Sequence, residues 1–145
     1  MDYLASFDIS ASGMAVEKTR LDIVALNLAN AKSTRSIDGG PYKALEVLSG
    51  EKPPNFESYL NRVTDTQIAG GAQVLEIKQK DIEPKLVYEP NHPDANKDGY
   101  VAYPNINPVS EMITLLEATR AYEANVRALN AAKAMALQAL EIGKK

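Results

Sequence analysis

Apolar residues return at a seven-residue step near the start of the chain, at Phe7, Met14, Leu21 and Leu28. Leu4, Ser10, Ala11, Val24, Ala25 and Ala31 lie three or four residues from these, as a single stripe on a helix requires. Only Gly13 interrupts residues 3–33 and no proline does, so the pattern predicts one long amphipathic helix. Ser6 or Asp8 is suited to cap its start. The Asn30, Ser33, Thr34 cluster supplies polar groups that compete with the helical backbone near its end.

A longer helix is predicted over residues 108–142. Asn107 is a good N-cap, Pro108 fits the first helical position because its missing N–H costs nothing there, and Glu111 falls in the first turn, where the helix dipole favours an anion. The next glycine or proline is Gly143. Such a helix is about 50 Å long at 1.5 Å per residue, more than a small globule needs. Its stripe runs Met112, Leu115, Thr119, Tyr122, Val126, Leu129, Lys133, Ala136, Leu140, a coiled-coil-like spacing with one cation in the seam. Nine alanines between Ala118 and Ala139 are spread round the helix, so more than one face can approach another helix closely. Two helices alone cannot enclose a core.

The middle is of another kind. Residues 42–48, 73–77, 86–88 and 100–103 are short β-type runs, separated by Gly39-Gly40-Pro41, Pro53-Pro54, Gly70-Gly71 and Pro84. Polar residues 51–69 read as a loop or insertion. The expected fold is mainly α with a small β middle: an N-terminal helix over 1–35, a β-rich segment over 36–107, and a C-terminal helix over 108–145 that forms one unit with the first.

Composition removes most chemistry. The 145 residues are 45% apolar and 24% charged, a foldable balance, but only 7 Tyr and 2 Phe are aromatic and Trp is absent. The net charge of −3 is carried by the middle segment, so neither helix offers a basic face to nucleic acid or anionic lipid. Without cysteine there is no disulfide, thiol nucleophile or Cys-ligated zinc, and with His92 as the single histidine a His-cluster metal site or a Ser/His hydrolase is hard to build. No run is long enough to insert in a membrane, and the start lacks the basic n-region of a cleaved signal peptide.

Asp94, Asn96 and Asp98 followed by Gly99 match the first half of a calcium-binding loop. The position that should be a bidentate Glu is Asn105, after Pro104, so a turn with Gly99 at positive φ is the preferred reading and a weak metal site the alternative. His92 reads as a solvated loop residue. Asp81, Glu83 and Glu89, interleaved with Lys78, Lys80 and Lys85, read as a charged strand edge. No catalytic constellation and no cofactor site is predicted.

The run Ala25-Leu26-Asn27-Leu28-Ala29-Asn30-Ala31 is poorly explained by packing alone, since Asn27 and Asn30 share a face beside the apolar stripe. Asn27, Leu28, Ala29 and Asn30, after an amphipathic N-terminal helix, resemble the signature of the bacterial flagellar axial proteins: rod, hook and hook-associated subunits. The resemblance extends through Phe7-Asp8-Ile9-Ser10, Gly39-Gly40-Pro41-Tyr42, Leu86-Val87-Tyr88-Glu89-Pro90, the segment 94–103, Pro104-Asn105-Ile106-Asn107 and Arg120-Ala121-Tyr122-Glu123-Ala124-Asn125. The size and content of the middle are similar to a short subunit of the proximal rod. Leu26, Lys32 and residues 51–69 depart from the family pattern.

The resemblance implies that the terminal helices pair as an antiparallel coiled coil in the inner wall of a hollow tube, with the middle facing outward. The stripes named above would then be seams between helices and between subunits. It further implies partners in copies of the chain, other rod subunits and the flagellar type III export apparatus, and a place in the periplasmic part of the basal body reached without a cleaved signal peptide. Two other readings are a different short axial subunit and a calcium-responsive coiled-coil regulator using the Asp94 loop.

Overall fold

A computed structural model describes residues 3–36, 39–53 and 70–143; the side chains of Tyr3 and Leu4, and most of the insertion expected at 51–69, lie outside the described residues. The order is α1 (Tyr3–Ala29), β1 (Leu45–Glu51), β2 (Ala72–Gln79), β3 (Lys85–Tyr88), β4 (Tyr100–Tyr103) and α2 (Pro108–Ile142). It is mainly helical with a small β middle.

Local chemistry explains the helix ends. The Asn107 side chain accepts from the Val109 N–H at 3.0 Å, Pro108 opens α2, and the Gly143 N–H closes it on the Ala139 carbonyl at 3.2 Å. At the end of α1, Asn30 Nδ2 donates to the Leu26 carbonyl at 2.9 Å and Asn30 Oδ1 accepts from Ser33 Oγ at 3.1 Å. The same carbonyl also accepts from the Asn30 N–H at 3.1 Å, so the side chain adds a second donor to the last helical bond, and the Ser33 N–H turns back to the Asn30 carbonyl at 3.0 Å where the helix would otherwise continue. Ser6 and Asp8, proposed as caps, both lie inside α1, which has already begun at Tyr3.

α1 and α2 pack against each other. Asn27 meets Glu111, and Gly13 meets Asn125. The members of each pair shift by fourteen residues in opposite senses, so the helices are antiparallel and the register holds over four turns. Val16 and Val24 on α1 and Ala118 and Ala132 on α2 are the buried apolar residues of the two helices among the described residues. Burying a valine is worth about 2 kcal/mol. Alanines add less themselves but let the backbones come close.

The four strands form two antiparallel hairpins rather than one sheet: β1 with β2, bulged between Leu48 and Ser49, and β3 with β4. The β1–β2 hairpin lies along α1. Asn27 binds Leu45, Arg20 Nη2 donates to Ser49 Oγ at 3.3 Å, and Ser12 Oγ accepts from the Ala72 N–H at 3.0 Å. Fifteen helical residues span about 22 Å and six strand residues about 20 Å, so the hairpin matches the helix segment it covers. β1 begins three residues later than expected, because Tyr42 turns its side chain to Asn27 and Ala44 is buried. Asp81 and Glu83 lie in the connection between β2 and β3, not on a strand edge.

Candidate functional site

Three features of this fold bear on function: a buried amide that ties the elements together, a loop clamped to the exit of α1, and apolar helix surface that the chain does not cover.

Asn27 is 1% exposed, and its side chain makes four hydrogen bonds. Nδ2 donates to the Leu45 carbonyl at 2.9 Å and to Glu111 Oε2 at 3.1 Å, while Oδ1 accepts from the Leu45 N–H and from Tyr42 Oη, each at 2.9 Å. Two donors and two acceptor sites are all a primary amide offers, so the group is saturated and burial leaves nothing unpaired. One side chain of α1 thereby fixes the start of β1, the approach to it at Tyr42 and the first turn of α2. Burial, with the Glu111 carboxylate nearby, holds the Tyr42 phenol above its ordinary pKa. Within the Asn27, Leu28, Ala29, Asn30 run, Asn27 fastens the fold, Leu28 is half-buried, Ala29 is exposed and Asn30 ends the helix.

The Asp94 loop is spent on the fold. Asp94 Oδ2 accepts from Thr34 Oγ1 at 2.9 Å and Oδ1 from Arg35 Nη2 at 2.6 Å. Asn96 Oδ1 accepts from the Asp98 and Tyr100 N–H groups, and Gly99 has φ +81°. The side-chain oxygens of Asp94 and Asn96 thus accept from protein donors that hold the turn. His92 corrects an expectation: it is half-buried, its Nδ1 accepts from the Asp94 N–H at 3.1 Å, and its ring meets Tyr103 edge-on with centroids 6.3 Å apart. Glu89 accepts from Tyr103 Oη at 3.0 Å, and this bond raises the Tyr103 pKa.

The predicted stripe residues are distributed unevenly. On α1, Val24 is buried and Phe7, Met14, Leu21 and Leu28 are half-buried. On α2, Leu115, Thr119, Val126, Leu129 and Ala136 are half-buried, whereas Met112, Tyr122, Lys133 and Leu140 are exposed. The seam inside the chain follows Glu111, Leu115, Ala118, Asn125, Leu129, Ala132 and Ala136, displaced by one residue at alternate positions. Small side chains at Ala118 and Ala132 draw α1 to that side and leave larger apolar groups outside, among them Val109, Met112, Ile113 and Leu116. Among the described residues no group of three metal-ligating side chains occurs, and no helix is long and apolar enough to cross a membrane.

A chain whose two long helices expose apolar surface has the features of an assembly subunit. Residues 97–142 match the family model described as the C-terminal part of the flagellar basal body rod FlgEFG proteins. Over nearly its whole length the chain is similar to the flagellar basal-body rod protein FlgC of Bacillus subtilis, at 43% identity over 96% of this chain and 97% of that protein. It is 38% identical to FlgC of Salmonella typhimurium, over 99% of this chain and all of the relative, and 35% identical to that of Borreliella burgdorferi, over 98% of each. The chain belongs to the FlgC family of flagellar basal-body rod proteins.

Proposed function

We propose that the chain is a non-catalytic structural subunit of the proximal rod, carrying torque by packing. In this reading α1 and α2 form a coiled-coil-like pair in the wall of a hollow helical shaft, and the hairpins face outward. Its partners are copies of itself and neighbouring rod subunits, and it reaches the periplasmic space unfolded through the flagellar type III export apparatus.

The observation that carries this is the antiparallel helix pair with large apolar residues left outside it. Val16, Val24, Ala118 and Ala132 make too small a seam to use the whole apolar surface of two such long helices. A neighbouring subunit supplies the missing cover, and contacts that join different patches without closing build a filament.

Complementation tests it. In a Bacillus subtilis strain lacking its own FlgC, this chain is expected to restore hooks and swimming and to be found in purified basal bodies. Restored swimming without the chain in basal bodies, or its accumulation in the cytoplasm of a strain that exports other rod subunits, would overturn the reading.

A further inference from the structure

The β3–β4 hairpin stands apart from the other elements: neither strand packs against α1, α2 or the β1–β2 hairpin. Its bonds are mostly internal. The strands pair from Lys85 with Tyr103 to Tyr88 with Tyr100. Their connection is closed by the Glu89 N–H on the Gly99 carbonyl at 2.9 Å and by the Asn96 N–H on the Tyr100 carbonyl at 2.8 Å. The rings of Tyr88 and Tyr100 meet edge-on with centroids 5.3 Å apart, and Glu89 and His92 both engage Tyr103. Val101, opposite Val87, is fully buried. Residues 85–103 are therefore a unit with its own bonds.

Facing this unit, segment 30–44 belongs to the helix pair. The Tyr42 N–H donates to the Ser33 carbonyl at 3.1 Å, and Tyr42 Oη donates to the buried Asn27. Among the described residues, the hydrogen bonds that join the two units are both accepted by Asp94, Oδ2 from Thr34 Oγ1 and Oδ1 from Arg35 Nη2. The covalent links are residues 80–84 and 104–107, neither of them helix or strand. Where the links pass segment 39–44 there is a cleft of about 150 Å³, with Ile82, Pro84 and Pro104 on one side and Pro41, Tyr42 and Lys43 on the other. A cleft beside two irregular connections leaves room for the unit to turn on them, and a small polar junction opposes the turn weakly.

We propose that residues 85–103 are an arm hinged at 80–84 and 104–107, and that the Asp94 carboxylate is the latch that holds it to the exit of α1. Asp94 suits this part because one side chain takes both bonds. The Arg35 side chain is 77% exposed, so its bond is open to water and readily exchanged. Such a latch sets a preferred position for the arm without making it permanent. Leu86, Tyr88 and Tyr100, which alternate with Val87 and Val101, form the exposed outer face of the arm. Opening the latch re-aims this face while the helix pair and the Asn27 bonds stay intact. The inference concerns the chain by itself, so a failed complementation would leave it untouched.

A chain without cysteine takes spin labels only where cysteines are placed, which allows a direct test. Asp22→Cys on α1 with Lys97→Cys on the arm, both exposed positions, reports the arm against the body. Asp22→Cys with Glu51→Cys on β1 reports the body alone. Dipolar distance measurement on the purified full-length chain is expected to give one narrow distribution for the first pair. Asp94→Ala should broaden that distribution or add a longer component, with the second pair unchanged. Thr34→Val together with Arg35→Gln removes the latch from the body side, leaves the arm untouched, and should do the same. The inference is overturned if both latch variants keep the parent's distribution, or if the parent is already as broad as they are. It is overturned equally if the second pair broadens as much as the first, since the chain would then be loosening as a whole.

Discussion

Gly13 of α1 lies so close to Asn125 of α2 that a Cβ built on the glycine would fall 2.9 Å from Asn125 Nδ2. A helix-interior glycine ordinarily costs about 0.5–1 kcal/mol relative to alanine, so its presence here makes room for the amide. Asn125 is itself held by a 3.0 Å bond from Nδ2 to the Ala121 carbonyl. Gly13→Ala alone should change stability by less than about 1 kcal/mol, because the gain in helix propensity opposes displacement of the amide. Combined with Asn125→Ala, which empties the space, the same change should stabilise by roughly 1 kcal/mol. Thermal melts of the four-member cycle at one protein concentration would measure this; strict additivity would show that the contact is not made.

Asn27 gives a sharper case. Replacing it with Leu leaves the Leu45 N–H and C=O and the Tyr42 hydroxyl without their partner at a buried position. At about 1–3 kcal/mol for each group left unsatisfied, a loss of several kcal/mol is expected. Asn27→Asp would put a second carboxylate beside Glu111. Mutual repulsion raises carboxyl pKa values in the folded state, so the folded state binds more protons than the unfolded and stability falls as pH rises. The Asp variant should therefore recover on acidification, in a range where the Leu variant does not; melts from neutral pH down to about pH 4 separate them.

The limits of α2 and the end of α1 were legible in the sequence because their causes are local: Asn107, Pro108 and Asn30 act within one turn of where they stand, whereas the caps expected at Ser6 or Asp8 fall inside α1. The seam was legible only to within one residue. Hydrophobicity draws attention to Met112 and Leu140, yet packing is decided by size as well, and Ala118 and Ala132 form the closer approach. The role of Asn27 could be suspected from an amide beside an apolar stripe. Its partners could not, since Tyr42, Leu45 and Glu111 are separated by chain that carries no common period. His92 was misplaced for the same reason, its contact with Tyr103 depending on the hairpin that brings them together.

Tyr42 and Tyr103 should ionise above the ordinary tyrosine range, Tyr42 because of burial and the Glu111 carboxylate, Tyr103 because its hydroxyl donates to Glu89. A raised folded pKa means stability that is complete below the ordinary tyrosine range and is lost as pH rises through the folded value. Ultraviolet titration of phenolate absorbance should show a late component that shrinks in Tyr42→Phe. In Glu89→Gln, the Tyr103 share should return toward the ordinary value. An unchanged titration in both variants would contradict these assignments.

In the Asp94 loop, backbone geometry should matter more than charge. The Arg35 side chain is 77% exposed, so losing its bond to Asp94 in Asp94→Asn should cost no more than about 1 kcal/mol. Gly99→Val combines a φ of +81° with a Cβ that would fall 2.9 Å from Tyr88 Cε2, and should cost about 1–3 kcal/mol. Calcium should leave the melting temperature of the parent chain unchanged. A calcium-dependent rise, abolished by Asp94→Asn, would favour the metal reading of the loop over the turn.

Leu129 tests the link from packing to function. It is half-buried on the seam side of α2 between Asn125 and Ala132, and Leu21 is half-buried on α1. An Asp at either position places a carboxylate where the helices meet. The cost is up to several kcal/mol per copy, reduced by whatever water still reaches the site. In the rod that penalty recurs in every subunit. If export passes an unfolded chain, neither Leu21→Asp nor Leu129→Asp should stop secretion, while both should stop assembly, so the protein accumulates in the medium of cells lacking hooks. Arg127 is the control: its side chain is 82% exposed and paired to Glu123 at 3.6 Å, so Arg127→Gln should swim normally. Normal swimming with Leu129→Asp would mean that this seam does not hold the subunit in its working form.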